Sequence, residues 1–171
     1  MSGRADFVLA TADSGLAAVE VKNLREWLYP DREEIRELLA KSIAIDAVPV
    51  LIARRMPYVT FRLLNPCGVV FHQTYNQRFA QADVELADKV RHKDMLGFHD
   101  IRLGNLPDAR LTKFAQHNLP RDLPGARERF DENRDLLAPF ASGDMDYTEF
   151  AARVRRRVQG TNEDHDWDEE G

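Results

Sequence analysis

Asp6, Glu20 and Lys22 are the residues whose types and spacing could do chemistry. Two carboxylates supply the hard oxygen ligands that magnesium or manganese takes, because such ions keep several waters and need few protein donors. A bound divalent cation lowers the pKa of its water and stabilises charge on a phosphate oxygen. An ammonium beside it can position that water or neutralise the pentavalent state. Side chains alternate faces along a strand, so Glu20 and Lys22 project together from a strand at 16–22. The side that Asp6 takes depends on the turn. A three-residue loop Asp13-Ser14-Gly15, with Gly15 left-handed, pairs Ala12 with Leu16; this sets Asp6 opposite Lys22 and diagonal to Glu20. All three then share a face, whereas a loop of two or four residues sends Asp6 to the other one. The bland alternative is a hairpin whose charged side faces solvent, with a cross-strand ion pair worth little.

The elements that must position these residues are legible in the pattern. Residues 5–11 and 16–22 are strand candidates separated by a turn cluster. Asp31, with Glu34 three residues on, predicts a capping-box helix start. Ile35, Leu38, Leu39 and Ile43 then form an amphipathic stripe that should stop before Pro49. The apolar run 48–53 (VPVLIA) predicts a strand buried on both faces, so strand, helix and strand make a βαβ unit. Pro57 tips 57–64 towards helix, and 69–72 reads as another short strand. From Gln77 the pattern turns helical, with Gly97 as a helix end. Residues 107–140 carry four prolines between short helical pieces, and a last helix is expected from Tyr147 to Val158. The expected organisation is an α/β core over 1–79, a helical extension over 80–160 and a disordered acidic tail over 161–171.

Composition removes several classes. No apolar run approaches the ~18 residues of a membrane span, and the first residues carry no signal-peptide core. One cysteine, Cys67, excludes a disulfide framework or a structural zinc site, and the chain reads as cytoplasmic. Cys67 sits in a turn without a partnered histidine evident in the sequence, so it is not expected to be a catalytic thiol. His72, His92, His99 and His117 lack metal-ligand spacing. The net charge is −5, yet residues 161–171 hold six acids and no Lys or Arg, which leaves residues 1–160 with 24 basic against 23 acidic residues. Basic residues are 19 Arg and 5 Lys; arginine suits bidentate phosphate contacts, although GC-rich coding gives the same bias. The run Arg153, Arg155, Arg156, Arg157 either grips phosphate or is a solvated face that neutralises the tail. Arg54 and Arg55 leave the buried strand at its C-terminal end, where ligands of α/β sheets tend to bind.

Asp6, a gap of 13 residues and then Glu20-Val21-Lys22 resembles the PD-(D/E)XK nuclease signature. An apolar strand leads into the motif (AAVEVKN), and a helix and a buried strand (PVLIARR) follow, similar to the core of restriction endonucleases and archaeal Holliday-junction resolvases. The resemblance covers residues 4–73. It implies a restriction-endonuclease-like mixed sheet flanked by helices and a magnesium- or manganese-dependent deoxyribonuclease. Asp6, Glu20 and the Val21 carbonyl would be metal ligands, and Lys22 would assist the water. Gln73, after the next strand, matches a glutamine that some members place near the site. Nucleic acid, DNA before RNA, is the implied partner, and Arg54, Arg55, Gln73, Arg155 and Arg156 are the residues expected to meet it. Ala5 stands where the family commonly has proline. The family core usually begins with a helix and one more strand, and five residues precede Asp6 here, so either the core is shortened or a homodimer partner, another chain or the C-terminal helices would complete that part. The rival reading is a catalytically inactive binding or scaffold module on the same fold.

Overall fold

The computed structural model describes residues 5–11 and 14–161. The tail expectation for 162–171 lies outside them. The chain is α/β, with a mixed four-stranded sheet. Strands β1 (Phe7–Thr11), β2 (Gly15–Lys22), β3 (Ala47–Ala53) and β4 (Val70–Gln73) lie side by side in chain order. β1 runs antiparallel to β2, while β3 and β4 run parallel to it. Helix α1 (Glu33–Ala44) links β2 to β3, and α2 (Tyr58–Leu64) with a 3-10 turn at Asn65–Cys67 links β3 to β4. Parallel neighbours need such crossovers, so the βαβ expectation is met. Every residue of β3 is buried, as its unbroken apolar run requires.

Alternation along the strands divides the core in two. One face carries Leu51 and Ala53 against Ile35, Leu38 and Leu39 of α1. The other carries Ala17, Val19, Val48, Val50, Ile52 and Val70. Three later helices complete these layers: α5 (Leu119–Glu132), α6 (Arg134–Ser142) and α7 (Tyr147–Gln159). Leu123 and Ala126 cover the second face, while Phe130, Phe140 and Phe150 fill the first. Residues from both sides of position 79 therefore share each cluster. Among the described residues, no helix is long and apolar enough to cross a membrane.

Three local expectations are corrected. The hairpin pairs Thr11 with Gly15 and Ala10 with Leu16, so the three-residue connection sits one residue earlier than Ala12 paired with Leu16 would place it. Gly15 has φ +71, the left-handed conformation expected of it, but it closes the ladder rather than belonging to the loop. Helix α1 begins at Glu33 with Arg32 as N-cap and no side-chain cap bond, so Asp31 is not the cap. Residues from Gln77 do not start a helix. Gln77–Phe79 is a strand, β5, that pairs in parallel with β6 (Ile101–Leu103); α3 (Val84–Arg91) lies between them. A three-residue strand is too short for alternation to announce it.

Cys67 is buried and its thiol is pushed up to about 12 by that burial, which makes it inert. On the second face the His72 ring stacks on Phe114 of the segment after α4 (Ala109–Lys113), with centroids 4.5 Å apart. Burial lowers the His72 pKa below its usual 6.5, with Asp108 opposing and Arg110 assisting. The unfolded chain therefore takes this proton first, and the stability His72 contributes is present above pH 6.5 and lost as pH falls through the lower folded value. In urea titrations, His72→Phe should lose less stability between neutral and mildly acidic pH than the wild type does. Equal losses would show that this imidazole is not held neutral.

Candidate functional site

Glu20 is 4% exposed, although its neighbours on β2 and β3 are apolar. A buried carboxylate needs compensation, and two ammonium groups provide it. Lys22 Nζ lies 2.7 Å from Oε1, and Lys41 Nζ, in the last turn of α1, lies 3.5 Å from Oε2. Lys41 also lies 3.8 Å from Glu37, one helical turn earlier. Burial alone would pull the Lys22 ammonium down, but the Glu20 bond and the charges of Glu20, Asp6 and Glu37 outweigh it and hold its pKa above the usual value. Glu34 is held below the usual carboxylate range. Its own backbone amide is the main cause, helped against burial by Arg32 and, more weakly, by Lys22.

Asp6 reaches the same end of the sheet from β1. Its Oδ2 accepts a hydrogen bond of 2.8 Å from the Val21 amide. Continued one pair beyond Phe7 and Val19, the ladder sets Asp6 level with Glu20 rather than with Lys22. The even register is kept, so Asp6 stays on the Glu20 side. Moving the three-residue turn by one residue changed the rung, not the face. In an antiparallel ladder a residue's N–H and C=O point to the same neighbour. The Val21 amide points towards the β1 side, so its carbonyl does too, opposite the residues that precede β1. Two carboxylates, one main-chain carbonyl and two ammonium groups thus lie at the end of the sheet where β1 begins and β2 finishes.

These are hard oxygen donors, the kind magnesium prefers. Among the described residues, no group of three or more His, Cys, Asp or Glu side chains gathers to hold an ion. An ion here would rest on Asp6, Glu20, the Val21 carbonyl and water, which is a sufficient set for a cation that keeps much of its hydration. Beside Asp6 and Lys41 opens a hollow of about 420 Å³ walled by Phe7, Val8 and Ile45.

The other expected site residues are scattered. Gln73 shares a row with Lys22 through Ala53, two strands away, and its Oε1 accepts from the Met56 amide at 3.2 Å. Arg54 is buried and fully engaged. Its guanidinium meets Asp100 at 2.8 Å and donates to the carbonyls of Leu24 and Arg25. Arg54 therefore fastens the segment after β2 and is not available to phosphate, which corrects its expected role. Asp100, which burial would raise, is held below the usual range by Arg25 and Arg54. Arg55 is exposed at the end of β3. Arg155 and Arg156 lie on α7, which packs on α2 and α6 rather than beside Glu20. Two members of that run are paired with acids, Arg153 with Glu149 at 2.8 Å and Arg157 with Asp135 at 2.7 Å.

Lys41 and Asn23 were missed by sequence reasoning. Glu34, Glu37 and Lys41 repeat at i, i+3 and i+7, a charged stripe beside the apolar one, and that period could have pointed to Lys41. Asn23 follows Lys22 and exchanges two hydrogen bonds with the Arg78 backbone of β5, at 2.6 and 3.0 Å. The small second sheet thereby anchors the end of β2, a contact across 55 residues that no local pattern encodes. No family model, curated protein or solved structure matches the chain.

Proposed function

We propose that this chain hydrolyses phosphodiester bonds of nucleic acid, DNA in the first instance, with a magnesium or manganese ion held by Asp6, Glu20 and the Val21 carbonyl. The carrying observation is the buried Glu20 carboxylate on the same face and at the same end as Lys22, with Asp6 level with it. The order hairpin, crossover helix, parallel strand also agrees with the PD-(D/E)XK core that the motif resembles, so we read the sheet as restriction-endonuclease-like. The ion would supply an activated water and charge stabilisation on the phosphate. Lys22, its ammonium held protonated by the acids around it, would donate to that water or to the developing phosphorane oxygen. Lys41 holds the far side of the Glu20 carboxylate and so orients it. Arg55, exposed at the end of β3, is the arginine of the expected set best placed to meet substrate phosphate.

One observation favours a second reading. Both Glu20 oxygens are engaged by lysines, which neutralises the carboxylate without any cation. A nuclease fold that has become a binding or scaffold module would have this arrangement. Supercoiled plasmid separates the two readings. Nicking in magnesium or manganese that chelator abolishes supports the hydrolase; retention of DNA without nicking in either metal supports the module.

A further inference from the structure

A groove of about 440 Å³ runs between α2 and α7, at a distance in the fold from Glu20 and independent of the hydrolase reading. It is lined by Val59, Leu63, Val154 and Val158, of which Leu63 and Val154 are buried, and by the exposed Arg62 and Arg155. Val158 is 62% exposed and Val59 38% exposed, so the groove presents apolar surface to solvent. Neither Arg62 nor Arg155 makes an ion pair among the described residues, whereas Arg153 and Arg157 each have an acid. The groove therefore joins apolar surface to cationic side chains. It fits an acidic segment that carries one aromatic anchor.

Such a segment follows directly. Residues 163–170 read Glu-Asp-His-Asp-Trp-Asp-Glu-Glu, six acids around the indole of Trp167. Helix α7 ends on Gly160 at φ +66. The Gly160 amide donates to the Arg157 carbonyl and the Thr161 amide to the Arg156 carbonyl, the two bonds of a Schellman cap. That cap turns the chain off the helix axis, so continuation along α7 is not the direction of exit. Trp167 is six residues past Thr161, a reach of up to ~20 Å when extended. The groove residues on α7 lie only about 10 Å back along the helix at 1.5 Å per residue. Length and charge both permit the return.

We infer that residues 163–170 dock in the α2–α7 groove of their own chain, with Trp167 on the valine and leucine lining and the flanking acids on Arg62 and Arg155. The acid–arginine contacts are exposed, so docking should weaken as salt rises.

Tryptophan emission of the full chain tests this, with the Trp167→Phe variant subtracted to remove Trp27. Docking predicts a Trp167 signal that is blue-shifted and quenched by iodide and acrylamide several-fold less than a free peptide of residues 161–171. The double variant Arg62→Glu, Arg155→Glu should return both readings to the free-peptide values while leaving the circular dichroism unchanged. Val158→Asp, which alters the apolar lining, should do the same and serves if the double variant does not fold. Wild-type Trp167 emission and quenching equal to those of the free peptide would overturn the inference. So would protection that survives both variants, which would put the indole elsewhere, or protection that grows with protein concentration, which would put it in a second copy.

Discussion

Lys22→Ala should reduce cleavage on the order of 10²-fold or more, the loss expected when a stabiliser of transition-state charge is removed. Its effect on folding should be much smaller. Truncating one partner of a buried ion pair costs ~3–5 kcal/mol when the remaining charge is left alone. Here Lys41 still lies 3.5 Å from Glu20, so the carboxylate keeps a counter-ion. Removing both lysines would leave none, and that variant should be the unstable one. Glu20→Gln keeps the side-chain volume but removes the charge, so divalent-cation binding should fall while nucleic-acid binding persists. Asp6→Asn is the matching change on β1, because an amide oxygen can still accept from the Val21 amide. Single-turnover cleavage and calorimetric titration with manganese read the two effects separately. A Lys22→Ala chain that cleaves at the parental rate would remove Lys22 from the chemistry.

The part of this arrangement legible in the sequence is the part that rests on short-range rules. Alternation put Glu20 and Lys22 on one face, and the parity of a glycine-closed turn put Asp6 there with them. The position of the three-residue turn was not fixed by its residues, because Gly15 can serve a loop or close a ladder with the same positive φ. That is why Asp6 falls level with Glu20 instead of Lys22. The unbroken apolar run of β3 announced a strand covered on both sides, and it is. What covers it was not legible. Phe130, Phe140 and Phe150 come from helices about 80 or more residues away in the chain, and their own periodicity says only that each helix has an apolar face. Arg54 illustrates the limit most clearly. Its position at a strand's C-terminal end suggested phosphate, but its partner Asp100 sits on the loop before β6, and a pairing across 46 residues leaves no local trace.

Gly68→Ala should be among the most damaging single-methyl changes in the protein. Gly68 ends the 3-10 turn after α2 at φ +85, where an L-residue is strained by ~1–2 kcal/mol. A Cβ there would lie 2.4 Å from the Ala126 carbonyl oxygen, 2.5 Å from the Phe130 nitrogen and 2.8 Å from the Phe130 Cα. All three are backbone atoms of α5, so no side chain can swing aside. The helix itself must move. Helix α5 is also fastened to this turn, since Arg129 donates to the Asn65 carbonyl and Asn133 to the Pro66 carbonyl. It carries Phe130 into one core layer and Leu123 and Ala126 into the other, so a shift disturbs both faces of the sheet. Overpacking of this kind adds ~1–3 kcal/mol or more. The sum, about 2–5 kcal/mol, is a large share of a typical stability of ~5–15 kcal/mol. For a chain of this length it should lower the melting temperature by roughly 4–20 °C. Gly143→Ala supplies the control. Gly143 has φ +90 and nothing within 4 Å of its added Cβ, so it bears the backbone strain without the collision. If the two variants melt within a degree or two of each other, the close approach of α5 to the turn is not what holds these layers together; a wide gap in favour of Gly143→Ala isolates the cost of pushing α5 off the sheet.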